Sequence, residues 1–166
     1  MKKYKWIIIL ANLVMLLIVF NQSISKKEDL LANGKLILLE LAPVDPRSLI
    51  QGDYMRLRYE IARGIRNKNS IAKRGYCVVT LDSNGVAERV RLQADKSPVN
   101  KGEYLIKYTA SKRWFTWDVN IGAESFFFQE GEAKKYEKAK YGAIKADKNG
   151  NSVLVGLYDE DLKQIE

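Results

Sequence analysis

DPRSLIQGDYMRLRY, residues 45–59, is the stretch on which the reading of the fold turns. A proline-bounded polar segment runs through Gly52 and Asp53 into a strand with alternating side chains. Extended to Ile61, the pattern puts Met55, Leu57, Tyr59 and Ile61 on one face and Tyr54, Arg56, Arg58 and Glu60 on the other. A period of two marks a half-buried β-strand, so the apolar set is assigned to a core. Gly52 permits a backbone conformation that other residues avoid, and Asp53 is suited to capping the amides of the turn into the strand. Arg47 is placed to pair with Asp53 or Asp45. Packing accounts for the apolar set, which leaves Asp45, Arg47, Gly52, Asp53, Tyr54, Arg56 and Arg58 as a candidate interaction loop.

Upstream, residues 6–20 (WIIILANLVMLLIVF) carry no charge, and Asn21–Ile24 extend the uncharged run to residue 24. That matches a membrane span of about 20 residues, with Trp6, Ile7, Leu10, Leu13, Leu16, Leu17, Val19 and Phe20 facing lipid. Lys2, Lys3 and Lys5 precede it, and the positive-inside tendency keeps them cytoplasmic and sends the body of the chain across the membrane. A cleaved signal peptide is the competing reading, but the small-x-small pattern that cleavage wants is met by Ser23 and Ser25 alone, which favours an uncleaved anchor. Residues 1–25 are thus read as tip and anchor, 26–34 as a juxtamembrane linker or one helical turn ended by Asn33-Gly34, and 35–166 as one extracytoplasmic domain.

The domain reads as mainly β. KLILLELAP (35–43) is an apolar run suited to a buried strand. YCVVTLD (76–82) and VAERVRL (86–92) flank a Ser83-Asn84-Gly85 turn, and YGAIKAD and SVLVGLYD flank KNGN in a second hairpin near the end of the chain. EYLIKYT (103–109), RWFTWDVNIG (113–122) and SFFFQ (125–129) add aromatic-rich strands. EGEAKKYEKAKY (130–141) has the spacing of a surface helix with Ala133, Tyr136, Ala139 and Lys140 on one face. The fold expected is α+β, mainly β: a transmembrane helix followed by a barrel- or sandwich-like domain of about eight strands with one surface helix.

Several chemistries are excluded. The chain has no histidine and its single cysteine is Cys77, so an intrachain disulfide, His/Cys metal sites and Ser-His or Cys-His nucleophile systems cannot be built. No strand-GxGxxG-helix order is present, and no cofactor is expected. The acidic pairs Glu130/Glu132 and Asp159/Asp161 read as solvated faces, and Cys77 as a small core residue. The net charge is +8. Much of it lies between Arg56 and Arg74, where seven cations oppose Glu60 alone. Such a patch beside a membrane faces lipid headgroups or solvent, and aromatic residues are not interleaved as single-strand nucleic-acid binding prefers. The partners expected are therefore membrane lipid and a membrane protein, with no nucleic acid; oligomeric state has no signal in the sequence.

Gly52, Asp53, Tyr54, Leu57 and Tyr59 fill every named position of the signature of the GDYXXLXY family, which the chain resembles. Asp45-Pro46-Arg47-Ser48 and FFFQEGEAKKYEKAKYG (126–142) are similar to its members as well. The resemblance implies a bacterial inner-membrane protein, often found beside polytopic membrane proteins of unknown role, and implies no reaction. A distant likeness to membrane-anchored signal peptidases is weaker: where they carry a serine nucleophile, eight residues ahead of the Gly, this chain has Val44. A serine–lysine hydrolase would require Ser48 to meet Lys68 or Lys73. A small-ligand or envelope sensor would require an apolar pocket shared by Trp114, Trp117 and Tyr104. The sequence favours a non-enzymatic structural or interaction subunit.

Overall fold

The computed structural model describes residues 2–42, 54–65, 71–112 and 116–166. Helix α1 (Lys2–Asn33) is continuous over 32 residues, about 48 Å at 1.5 Å per residue. Its apolar part is covered by no other element. SKKED therefore continues the helix, where a linker or single turn was expected. Its C-terminal end docks on the β domain: Leu30 is buried, the Gly34 amide donates to the Leu30 carbonyl at 2.9 Å, and Lys145 Nζ donates to the Leu31 carbonyl. These contacts hold the last two turns in helical form although their sequence is polar.

Nine strands follow among the described residues. β1 (Lys35–Glu40) lies against β8 (Tyr141–Ala146), which pairs with β9 (Ser152–Tyr158); β2 (Tyr54–Arg56) pairs with β7 (Ser125–Phe127); and β3 (Arg74–Leu81) sits between β4 (Ala87–Gln93) and β5 (Glu103–Lys112), with β6 (Trp117–Asn120) outside β5. All six of these pairings are antiparallel. Single bridges join the sheets: Leu41 to Tyr59, and Leu38 to Val86 in parallel. The result is a curled half-barrel, with Ile37, Leu39, Leu57, Tyr59, Val79, Ile106, Ile144 and Leu157 at its centre.

Both hairpins form where the turn chemistry put them. In each, an aspartate carboxylate accepts two amides: Asp82 from Asn84 and Val86, and Asp147 from Asn149 and Asn151, all at 2.8 Å. Gly85 and Gly150 then take φ +81 and +76. A third turn of the same kind was not anticipated. Asp159 accepts from Asp161 and Lys163, and Leu162 occupies the glycine position at φ 59. No glycine marks it in the sequence.

The alternation from Tyr54 to Ile61 is right in burial and shorter in strand. Met55, Leu57, Tyr59 and Ile61 are all buried, yet the ladder stops at Arg56 and a 3-10 turn takes over at Glu60–Ala62. The surface helix is shorter too: α2 spans Ala133–Tyr136. Gly131, at positive φ, precedes it, and the chain must reach β8 by Tyr141, so no room is left for the expected three turns. Tyr136 is buried on its inner face as the spacing indicated.

Candidate functional site: an arginine-walled cleft beside the Tyr54 strand

The strand that opened the sequence reading is held by three neighbours. In the β2–β7 ribbon Tyr54 lies opposite Phe127, Met55 opposite Phe126 and Arg56 opposite Ser125. Beyond it, the Leu57 amide donates to the Glu124 carbonyl at 2.7 Å, and the Ala42 amide to the Arg58 carbonyl at 2.8 Å. Tyr59 then plugs the core, 1 % exposed, and its hydroxyl donates to the Ala123 carbonyl at 2.5 Å. Burial, aided by the charge of Glu124, pushes this hydroxyl far above the ordinary tyrosine range, so it remains a donor.

Gly142 of β8 lies directly under the Tyr59 ring: a Cβ there would come within 2.8 Å of Cε1. On the ribbon's inner side the Phe126 ring meets Tyr136 edge-on at 4.9 Å, and Phe128 meets the same ring at 5.6 Å. Residues 54–59 and 126–142 therefore touch at both ends, and each is shaped by the other.

On the opposite side the ribbon faces solvent. Tyr54 packs at 5.7 Å against the tilted ring of Phe127, which is 73 % exposed, the largest apolar exposure outside α1 among the described residues. Arg56 and Arg58 follow on that face, both exposed. They wall a cleft of about 310 Å³ with Arg63, Trp117, Asn120 and Glu124. Arg63 pairs with Glu60 at 3.0 Å, and the Glu124 carboxylate accepts the Ile121 and Gly122 amides. Arg56 and Arg58 form no ion pair among the described residues. Trp117 Nε1, buried beside the cleft, likewise has no hydrogen-bond partner among them. Two guanidinium groups without an ion pair among the described residues, beside an exposed aromatic pair, make a face suited to acidic or aromatic groups of a partner.

Of the candidate loop, Tyr54, Arg56 and Arg58 share this one face, and Asp45, Arg47, Gly52 and Asp53 lie outside the described residues. So do Ser48, the serine required of a serine–lysine pair, Lys68, one of its two candidate partners (the other, Lys73, is exposed), and Trp114. Tyr104 lines one cavity, beside Val99 and Leu105, and Trp117 lines the arginine-walled cleft. Cys77 is fully buried, and burial pushes its thiol up to about 12 against a smaller opposing effect of Arg89. Among the described residues no three His, Cys, Asp or Glu side chains converge as a metal site would need.

Sequence reasoning missed Arg89, whose guanidinium donates to the Ile61 and Arg63 carbonyls at 2.6 and 2.9 Å and holds the turn that shapes the cleft. The density of charge in AERVRLQ was the available signal. It also missed Gly142, which carries no turn signature.

An apolar helix long enough to cross a bilayer, fused to a half-barrel whose signature strand packs against its own C-terminal third, defines a class: single-helix proteins with a β-rich head. The sequence profile of the GDYXXLXY protein family matches residues 16–157, and the chain belongs to that family. No curated protein and no solved structure matches it.

Proposed function

We propose that this protein is a single-pass inner-membrane protein whose β domain lies outside the cytoplasm and serves as a structural or interaction subunit of a membrane complex. Lys2, Lys3 and Lys5 before the apolar run support a cytoplasmic N-terminus. The observation that carries the reading is the unbroken α1, whose last two turns dock on the β domain, an arrangement that in a bilayer would hold the domain at its surface. A domain so held presents the Tyr54, Arg56 and Arg58 face to membrane neighbours, and the partner is a polytopic membrane protein with acidic or aromatic groups in its extracytoplasmic loops. The reading assigns no catalysis and no cofactor.

Crosslinking of the full-length protein in its own membranes, followed by pull-down, tests this. A membrane protein captured by wild type and lost in Tyr54→Ala/Arg56→Ala, with an unchanged thermal transition, is expected. Equal capture by both would refute the assignment of this face.

A further inference from the structure

A second cavity, of about 790 Å³, lies between the outer part of α1 and the β domain. Its depth relative to a bilayer follows from the helix. The uncharged run ends at Ser25, and residues 6–25 span about 30 Å at 1.5 Å per residue, matching a hydrocarbon core of about 30 Å. Ser23 therefore lies just inside the hydrocarbon edge at Ser25, and Lys26 and Lys27 stand about 1.5–3 Å beyond that edge, inside a headgroup layer about 5–7 Å thick. Ser23, Lys26 and Lys27 line the cavity, and the opposite wall is built from Ser125 and the β8–β9 turn.

The charges in this cavity differ in availability. The Asp29 carboxylate accepts the Asn33 amide group at 2.7 Å, and that of Asp147 accepts two backbone amides and the Asn151 side chain. Both anions are thus engaged in holding helix end and turn. Lys26 and Lys27 form no ion pair among the described residues, and the hydroxyls of Ser23, Ser125 and Ser152 form no hydrogen bond among them. Cations and hydroxyl donors unpaired among the described residues and placed at headgroup depth suit a phosphodiester, with the Asp29 and Asp147 charges held toward the helix end and the turn.

We propose that this cavity binds the phosphodiester headgroup of a phospholipid in the leaflet from which α1 emerges, with Lys26 and Lys27 as its cationic contacts. The assignment rests on the reading of α1 as a membrane span. A lipid seated there would bridge helix and β domain and fix the height of the Tyr54 face above the bilayer.

The test uses the full-length protein in detergent micelles, titrated with dioleoyl phosphatidylglycerol and followed by native mass spectrometry. Lys26→Gln/Lys27→Gln is expected to weaken the tightest lipid by about 30-fold, from the usual contribution of a lysine near an anionic surface. Lys134→Gln/Lys138→Gln, which removes the same charge away from the cavity, is expected to leave it within about 3-fold. Equal affinity of wild type and Lys26→Gln/Lys27→Gln, or an equal loss in both double variants, would overturn the site. Displacement by inorganic phosphate beyond that by chloride at the same ionic strength would reassign it to free phosphate and overturn the lipid source. Carbonate extraction separates the two levels: wild type in the soluble fraction refutes the membrane span and with it the lipid site, whereas wild type in the pellet without lipid selectivity refutes the site alone.

Discussion

Replacing Gly142 by alanine places a methyl carbon 2.8 Å from Tyr59 Cε1, 3.0 Å from its hydroxyl and 3.3 Å from Cζ. The ring cannot swing aside, because Tyr59 is 1 % exposed and its hydroxyl is tied to the Ala123 carbonyl. Overpacking of a rigid core costs about 1–3 kcal/mol. Against it stands a gain of about 0.5–1 kcal/mol from the reduced freedom of the unfolded chain when glycine is removed. The net expectation is a loss of about 1–2 kcal/mol, a fall in Tm of several degrees. The direct test is a double-mutant cycle with Tyr59→Leu, read by urea unfolding of the full-length protein in micelles with tryptophan fluorescence as the signal. Tyr59→Leu alone is expected to cost about 2–4 kcal/mol, through the cavity and the unsatisfied Ala123 carbonyl. In that background the clash is gone, so Gly142→Ala is expected to be neutral or to stabilise by about 0.5 kcal/mol. The same cost for Gly142→Ala in both backgrounds would refute the ring contact as the reason for glycine.

Other expectations are independent of that pair. Arg91 holds Glu103 through two hydrogen bonds of 2.7 and 2.8 Å, and this pairing, with the Asn100 amide, lowers the Glu103 carboxyl from 4.5 to about 2. Because the folded value is depressed, the stabilisation is complete above about pH 4.5 and fades as pH falls toward 2; acid unfolding of Glu103→Gln should be less steep across that window, and an unchanged profile would count against the pairing. Leu162→Gly relieves a left-handed residue at the third aspartate turn and should be neutral or stabilise by up to about 1 kcal/mol in thermal unfolding; a clear loss would show that Leu162 contributes packing beyond its turn. Cys77, buried and with its thiol raised, should resist maleimide in the folded protein at pH 8 and react fully in denaturant; rapid labelling of the native protein would contradict its burial.

The extent to which the site was legible differs by residue. Met55, Leu57, Tyr59 and Ile61 were assigned to the core from alternation alone, and all four are there. Tyr54, Arg56 and Arg58 were placed on the other face by the same rule. Nothing local, however, announced that Phe127 lies opposite Tyr54, that Arg89 reaches the carbonyls of Ile61 and Arg63, or that Asp159 to Lys163 repeats the two hairpin turns with a leucine in place of glycine. The surface-helix signal at 130–141 was genuine in its inner-face residue, Tyr136, and too long in extent.

What residue order alone determined is everything set by period and local chemistry. The apolar run of α1 has a length that water does not tolerate uncovered, alternation assigns faces because side chains in a strand point oppositely, and an Asp-x-Asn-Gly segment closes its own turn with its own carboxylate. Tertiary structure alone decided which strands became neighbours and where the chain had to give way. The polar SKKED segment became helix because the β domain buries Leu30 and binds the Leu31 carbonyl through Lys145, and the signature strand broke at Arg56 because Tyr59 had to reach Gly142, a residue more than eighty positions away. Contacts at such separation depend on the whole packed shape, and no local pattern encodes them.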